Sequence, residues 1–327
     1  MDRFEPQLVT IFGGAGFVGT QVIQLLARQG YRIRVATRRP DLAGHTKTLG
    51  TVGQILPIQA NVRNLASVQR AVKGADIVIN LVAIGFERGA QKFSAINTEG
   101  AANVATAARD ARVTSLVHMS ALGVDIATNS LYAQSKLAGE AAVLAAFPQA
   151  VILRPSLMFG RDDGFFNMMG GLARMLPIMP LISGATRFQP VYVGDVAEAI
   201  AMAALGQVKT GRIYEIGGPE IETHKDLLIR ILREAGRTPA LLPLPSAVAR
   251  LLALPLAILP FKPLITADQV ELLGTDNVVS EAAMRDKRTL AAFGITPTAM
   301  DTILPTYMWR FRKHGQFDRV EASHSEI

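Results

Sequence analysis

Short apolar runs alternate with amphipathic stretches along the first half of the chain. The runs have the length of buried strands and lie at residues 8–12, 31–37, 55–60, 76–82, 115–120 and 150–154. Between them, apolar residues recur at helical spacing near residues 17–29, 64–73, 90–111 and 131–146. This alternation predicts an α/β fold built on a doubly wound parallel sheet.

A glycine-rich turn follows the first apolar run. The turn and the start of the next helix contain Gly13, Gly16, Phe17, Val18 and Gly19. We expect Gly13 to permit a tight turn, Gly16 to let backbone N–H groups approach a pyrophosphate, and Gly19 to let the helix pack closely on the strand. The phosphates would lie at the helix N-terminus, where unpaired N–H groups favour negative charge. Strand, turn and helix in this order predict a Rossmann-type dinucleotide site.

Two arginines end the second predicted strand. Arg38 and Arg39 stand where NAD-binding folds carry an acidic residue for the ribose 2′-hydroxyl. An arginine fork suits a 2′-phosphate, because it forms bidentate, charge-assisted hydrogen bonds. The pair therefore favours NADPH (NADP) over NAD(H). A solvated basic loop is the alternative interpretation.

Other strand ends supply further candidate cofactor contacts. Asn61 and Val62 end the third strand and are candidates to flank an adenine. Val82 and Ala83 end the fourth, where Ala83 is small enough to let the cofactor backbone pass. Strand ends carry small or polar residues for structural reasons as well, so each position alone is only moderately specific.

Tyr132 and Lys136 lie one turn apart in the helix predicted at 131–146. A nearby ammonium lowers the pKa of a phenol, so that the tyrosinate can exchange a proton with a hydroxyl or carbonyl group. The same lysine is suited to bond the nicotinamide ribose. The pair predicts a catalytic site or, in the absence of chemistry, a clamp on the cofactor.

The composition is apolar for a freely soluble enzyme, with 49% hydrophobic and 19% charged residues and a net charge of +7. This balance favours anionic lipid headgroups or an acidic protein face as partners. No zinc-finger or RNP-type pattern is present, so we expect no nucleic-acid partner. The chain has no cysteine and five scattered histidines, which excludes thiol chemistry and predicts no metal site.

Two later segments combine apolar and basic residues. Prolines and Arg250 interrupt the run at 241–263, so we expect a short helix in the plane of the headgroups; an ordinary core helix is the alternative. Aromatic and basic residues interleave over 307–314, which suits a membrane–water boundary. The methionine-rich run at 165–179 predicts an adaptable partner surface or plain core filling.

The regular alternation ends after about residue 155. We predict a dinucleotide-binding domain at 1–155, whose sheet is completed by parts of 187–216. Residues 156–317 are predicted to form a smaller mixed region that faces a partner or membrane, and 318–327 a disordered tail. Neither a signal peptide nor a transmembrane helix is expected, which predicts a location in the cytoplasm or its organellar equivalent.

These motifs resemble the extended or atypical short-chain dehydrogenase/reductases over residues 8–235. The resemblance is carried by the glycine turn, Asn97, the Tyr132/Lys136 pair and the segments 154–156, 159–160 and 190–197. It implies the Rossmann-type fold and a bound nicotinamide cofactor. It also implies cofactor contacts from Ser120, at the end of the fifth strand, and from Pro155, at the end of the sixth.

Longer strings resemble a narrower family, the NADPH-binding, dehydrogenase-like accessory subunits of respiratory complex I (NADH:ubiquinone oxidoreductase). These strings lie at 147–156, 159–163, 165–167, 189–193 and 264–271. The resemblance implies a tightly held NADPH in a protein not known for turnover. It also implies complex I subunits near the quinone site as partners, and a peripheral position on the cytoplasmic face of the inner membrane.

One position departs from the wider family. Its active members carry a catalytic hydroxyl where this chain has Ala121, directly after Ser120. Either Ser120 or Thr128 replaces that hydroxyl, or Tyr132 and Lys136 bind the cofactor without chemistry. We favour a non-catalytic accessory subunit; the alternative is a free NAD(P)-dependent reductase, epimerase or dehydratase.

Overall fold

The structure, a computed structural model, describes residues 7–256, 263 and 265–317. The chain divides into two compact units. Unit 1 is Met1–Ser156, Val193–Gly217 and Val278–Pro297, and unit 2 is Leu157–Tyr192, Gly218–Asn277 and Thr298–Ile327.

Strands and helices alternate through most of the described chain. The strands are β1 Leu8–Phe12, β2 Arg32–Thr37, β3 Ile55–Gln59, β4 Ile77–Asn80, β5 Ser115–Met119, β6 Val151–Pro155, β7 Met158–Phe159, β8 Ile178–Ile182, β9 Arg187–Phe188, β10 Val191–Tyr192, β11 Ile213–Ile216, β12 Glu222–Thr223 and β13 Ala240–Leu244. The α-helices are α1 Phe17–Arg28, α2 Leu65–Val72, α3 Glu99–Asp110, α4 Leu131–Ala146, α5 Phe165–Met175, α6 Val193–Ala204, α7 His224–Glu234, α8 Ser246–Leu256, α9 Ala267–Leu272, α10 Glu281–Arg285 and α11 Met300–Met308.

A seven-stranded sheet in the order β11-β6-β5-β4-β1-β2-β3 forms the frame of unit 1. All of its strand pairs are parallel. The chain runs outward from β1 in both directions, so β1 and β4 flank the point where the winding reverses. Doubly wound sheets bind nucleotides beyond the carboxyl ends of the strands at such a point. The predicted doubly wound parallel sheet is confirmed.

Apolar helix faces cover the sheet of unit 1. Val68 of α2, Val104 of α3 and Val143 of α4 share one buried cluster with Leu116 of the sheet, and α6 packs against α1. The helix predicted at 90–111 is interrupted, because a π-helical turn at Ser94–Thr98 precedes α3. The other predicted elements of this half differ from the structure by two residues or fewer at their ends.

Unit 2 contains three two-stranded sheets. The pairs β7–β10 and β8–β13 are parallel, and β9–β12 is antiparallel. A buried cluster that includes Phe159, Phe166, Leu228 and Leu304 joins strands to α5, α7 and α11. The described helices include none that is long and apolar enough to cross a membrane.

The short helix predicted within 241–263 is present as α8, but a strand occupies the start of that segment. Its first residues belong to strand β13, which pairs with β8 so that Leu242 lies opposite Pro180, and α8 begins only at Ser246. Buried and exposed side chains alternate along this strand, because Leu241 packs inward while Leu242 is exposed. Residues 257–262 and 264 lie outside the described residues.

Several of the rings and cations at 307–314, which were predicted to suit a membrane–water boundary, have partners within unit 2. The Tyr307 hydroxyl donates to Asp163 Oδ2 at 2.7 Å, and the guanidinium of Arg310 lies over the rings of Tyr307 and Phe311 at 5.5 and 5.4 Å. Arg312 Nε donates to the carbonyl oxygen of Glu234 at 2.8 Å. These groups hold unit 2 together because each finds a partner inside it.

Candidate functional site

The glycine turn lies against the end of β4, directly beyond β1. Gly13 has a φ of +80°, in the left-handed region that favours glycine. A Cβ atom there would lie 3.1 Å from the carbonyl carbon of Leu81 and 3.2 Å from the nitrogen of Val82. Gly16 precedes α1 as its N-cap. The tight turn predicted for Gly13 is what the structure contains.

Gly19 brings the first turn of α1 onto the backbone of the glycine turn. A Cβ atom at Gly19 would lie 2.5 Å from Gly14 Cα and 2.6 Å from the oxygen of Gly13. The close approach is therefore to the turn rather than to the strand. Val18 is buried and Phe17 half-buried. No acidic residue stands in the first turn of α1, so the N-terminus of this helix keeps its preference for an anion.

Arg38 and Arg39 follow β2 and have different partners. Arg38 Nη1 donates to Gln91 Oε1 at 2.7 Å. Arg39 forms a bidentate pair with Asp41, whose Oδ2 accepts from Nη2 at 2.8 Å. This hydrogen bond raises the pKa of Arg39 and lowers the pKa of Asp41. An acid therefore does lie near the strand end, and it pairs with one of the two predicted phosphate ligands.

The candidate adenine contacts at the end of β3 are largely structural. Asn61 Oδ1 accepts from the backbone N–H of Arg63 at 3.2 Å. Val62 is buried against Gly100 of α3, and its carbonyl oxygen accepts from Asn103 Nδ2 at 2.9 Å. The side chain of Val62 is thus part of the core, while Asn61 stays half-buried.

The segment after β4 passes the glycine turn. The backbone N–H of Val82 donates to Asn80 Oδ1 at 3.2 Å, and Ala83 is exposed. Asn80 Nδ2 is 3.1 Å from His118 Nδ1 on β5. This pair was not predicted as part of the site, because Asn80 and His118 become neighbours only when β4 and β5 pair.

The end of β5 carries two buried polar atoms without partners among the described residues: His118 Nε2 and Ser120 Oγ. Because Asn80 donates to Nδ1, Nε2 carries the proton. Burial, assisted by the charge of Lys136, lowers the pKa of His118 well below its usual value, which keeps the ring neutral. Ser120 is 4% exposed. Buried polar atoms of this kind ordinarily have a partner, so their presence fits a site that holds a ligand.

Tyr132 and Lys136 are brought together on α4 as predicted by their spacing. The ring of Tyr132 meets Phe93 edge-on at 5.9 Å. Lys136 is fully buried, and its Nζ donates to the carbonyl oxygen of Met119 at 2.7 Å. Burial lowers the pKa of Lys136 to about 8, while the Glu140 carboxylate opposes the shift. The lysine thus lies over the end of β5, next to Ser120.

The position expected to carry a catalytic hydroxyl has none. Ala121 follows Ser120, whose backbone N–H donates to the carbonyl oxygen of Leu153 at 2.7 Å. Thr128 is exposed in the loop before α4. Ser120 directly follows Met119, whose carbonyl oxygen accepts a hydrogen bond from Lys136. Of the two candidate hydroxyl groups, the hydroxyl of Ser120 therefore lies nearer to the lysine in the chain's fold than that of Thr128.

A buried ion pair anchors the end of β6 beneath α4. Arg154 donates from Nε and Nη2 to the two carboxylate oxygens of Glu140 at 2.9 and 2.8 Å, and from Nη1 to Asp125 Oδ2 at 2.6 Å. Pro155 ends β6, and its carbonyl oxygen accepts from the N–H of Leu122 at 2.9 Å. Arg154 therefore ties the loop that contains Ala121 to the sheet.

Together these residues suit a dinucleotide better than a metal ion. The glycine turn leaves no room for side chains between β1 and β4, and the two unpartnered polar atoms lie at the end of β5. Among the described residues, no group of His, Asp and Glu side chains is arranged to hold a metal ion. When bound, a nicotinamide dinucleotide supplies hydride chemistry.

Two mitochondrial proteins are similar to this chain over most of its length. Subunit 9 of the NADH dehydrogenase (ubiquinone) 1 alpha subcomplex, mitochondrial, of Arabidopsis thaliana is 32% identical over 290 residues, which are 85% of this chain and 72% of that protein. The protein of the same name from Rattus norvegicus is 30% identical over 298 residues, 90% of this chain and 78% of that protein. Both likenesses confirm the resemblance seen in the sequence.

Solved structures share the fold. The Bordetella bronchiseptica enzyme WbmH, in complex with NAD+, matches with a TM-score of 0.69 at 17% identity, over 95% of this chain and 100% of that chain. The family model described as the NAD dependent epimerase/dehydratase family matches residues 9–217, which contain the glycine turn, the Tyr132/Lys136 pair and β6. The chain belongs to the NAD dependent epimerase/dehydratase family.

Proposed function

We propose that this protein is an NADP(H)-binding accessory subunit of respiratory complex I, without catalysis of its own, that stabilises the region near the quinone site. The observation that carries the proposal is its likeness to the plant and rat proteins, at 32% and 30% identity over 85% and 90% of the chain. Their names describe subunits of an NADH dehydrogenase. A likeness of that extent supports the same assembly for this chain.

The cofactor part of the proposal rests on unit 1. The glycine turn and the N-terminus of α1 receive the pyrophosphate through backbone N–H groups. Lys136 and Ser120, at the end of β5, would contact the nicotinamide ribose. Arg38, whose Nη1 donates to the uncharged side chain of Gln91, would bind a 2′-phosphate, which favours NADPH over NADH.

The absence of turnover is supported by the end of β5. Ala121 has no hydroxyl to orient a substrate oxygen, and Ser120 is buried. Lys136 already donates to the carbonyl oxygen of Met119. Tyr132 and Lys136 then act as a clamp on the cofactor rather than as an acid–base pair.

A peripheral membrane location is supported by unit 2. Apolar side chains are exposed on β13 and α8, among them Leu242 at 57%, Leu251 at 67% and Leu252 at 56%. Exposed apolar patches of this kind mark contacts with proteins or membranes. We place this surface against complex I subunits or lipid headgroups on the cytoplasmic side of the inner membrane.

Purification from native membranes tests the assembly. The protein should migrate with NADH:quinone oxidoreductase activity on a native gel, at about one copy per complex. Finding all of it as a soluble monomer that oxidises NADPH over many turnovers, with loss of that activity in Tyr132→Phe, would establish the enzyme alternative. Under the proposal, Tyr132→Phe only weakens cofactor retention modestly.

A fluorescence titration tests the cofactor. We expect NADPH to bind more tightly than NADH, and Arg38→Ala to reduce that difference by roughly 1–3 kcal/mol, the scale of a charge-assisted hydrogen bond. Equal affinity for the two cofactors in the unmutated protein would contradict the preference for NADPH.

A further inference from the structure

A short hairpin lies beside the ends of β2 and β3. Arg88 and Gln91 exchange two backbone hydrogen bonds of 3.0 Å, and Gly89, with a φ of +54°, forms the turn between them. The base of the hairpin is held by Glu87, whose carboxylate accepts from the backbone N–H of Phe93 at 2.8 Å and pairs with Lys92 at 3.1 Å. The hairpin is therefore a positioned element rather than an open loop.

Two arginines from neighbouring strands reach the same hairpin. Arg38, after β2, donates to the side chain of Gln91 at 2.7 Å, and Arg63, after β3, donates from Nη1 to the carbonyl oxygen of Ala90 at 2.9 Å. Because β2 and β3 are parallel neighbours, both arginines lie at the same carboxyl edge of the sheet. Both arginines therefore donate to adjacent residues of the same hairpin.

Arg39 is not equivalent to these two. Its guanidinium is bidentate to Asp41, and both side chains are exposed, at 68% and 58%. A phosphate approaching Arg39 meets the carboxylate as well as the cation. Arg38 and Arg63 instead donate to uncharged oxygens, and neither forms an ion pair with a carboxylate among the described residues.

We infer that Arg63, with Arg38, binds the 2′-phosphate of the adenosine ribose, and that Arg39 does not take part. This inference rests on the proposed NADP(H) site. A phosphomonoester carries up to two negative charges and three acceptor oxygens, which two guanidinium groups match through parallel N–H donors. The hairpin holds both arginines in place before the cofactor arrives.

The test compares Arg63→Gln and Arg39→Gln in the full chain, titrated with NADPH and with NADH. Glutamine at 63 removes the charge and leaves a shorter, uncharged polar side chain. We expect Arg63→Gln to weaken NADPH binding about tenfold, to leave NADH binding unchanged and to flatten the salt dependence of NADPH binding. Arg39→Gln and the exposed control Arg70→Gln should bind both cofactors as the unmutated protein does.

Each outcome separates the inference from the proposed function. If Arg63→Gln retains full NADPH affinity while Arg38→Ala loses it, NADPH binding stands and the role of Arg63 is refuted. If Arg39→Gln loses NADPH selectivity instead, Arg39 is the second ligand. Inorganic phosphate should compete with NADPH more than with NADH, and this competition should weaken in Arg63→Gln; competition of unchanged strength would place the phosphate away from Arg63 and overturn the inference.

Discussion

At the residue scale, Lys136 is a buried cation with a depressed pKa. The pKa is about 8 in the folded protein against 10.5 for an ordinary lysine. Between these two values the unfolded chain binds more protons than the folded one, so the free energy of unfolding rises with pH. Below pH 8 both states are protonated, and the contribution of Lys136 is constant and unfavourable.

We expect Lys136→Met to remove this pH dependence. The stability of the unmutated protein relative to the variant should rise by about 2 kcal/mol between about pH 7 and pH 10. Urea unfolding of both proteins at matched pH measures the difference. The exposed Lys73→Met serves as the control and should follow the unmutated protein throughout. Parallel pH profiles for the unmutated protein and Lys136→Met would contradict the assignment.

Arg154 is the residue whose loss should cost most. Replacement by methionine leaves the Glu140 carboxylate, which is 2% exposed, without its hydrogen-bonded guanidinium partner. Removing one partner of a buried pair destabilises by about 3–5 kcal/mol. Arg109→Met, at the exposed pair with Asp110, should change stability by less than about 1 kcal/mol. Equal midpoints of urea unfolding for the two variants would show that the buried ion pair contributes no more to stability than the exposed one.

At the scale of elements, the contact between α1 and the glycine turn has no room for a larger side chain at Gly19. A methyl group at Gly19 would lie 2.5 Å from Gly14 Cα, so the helix or the turn must move. We expect Gly19→Ala to lower the free energy of unfolding by about 1–3 kcal/mol and to weaken binding of NADPH and NADH alike. Thermal unfolding and titration measure both effects.

Gly44→Ala is the matched control for Gly19→Ala. A Cβ atom there meets nothing within 4 Å, and Gly44 does not have a positive φ. It should keep the stability and the cofactor affinity of the unmutated protein. A Gly19→Ala protein that behaves like Gly44→Ala would show that the turn tolerates displacement.

At the scale of the whole molecule, attachment should depend on the exposed apolar residues of unit 2. We expect Leu251→Asp with Leu252→Asp to free the protein from washed membranes without loss of stability, because both side chains are already more than half exposed. Val52→Asp, on an exposed side chain of unit 1, should stay attached. Sedimentation after a high-salt wash distinguishes them, since salt weakens only the electrostatic part of binding.

The sheet and the glycine turn could be predicted because their signals are local. The run Leu8–Phe12, the turn at Gly13 and the apolar face of α1 follow one another along the chain. Strand β13 could not be predicted in the same way, because Leu241 and Leu242 point to opposite sides only once β13 pairs with β8. An apolar run read alone fits a helix as well as a strand.

The sequence by itself thus determined the order of strands and helices, the glycine turn after β1 and the spacing of Tyr132 and Lys136. Only the tertiary structure decided which polar side chains form hydrogen bonds with one another. Arg38 meets an acceptor 53 residues away, and Tyr307 meets Asp163 across 144 residues. Hydrogen-bond partners at such separations depend on how elements pack, which no local pattern of residues records.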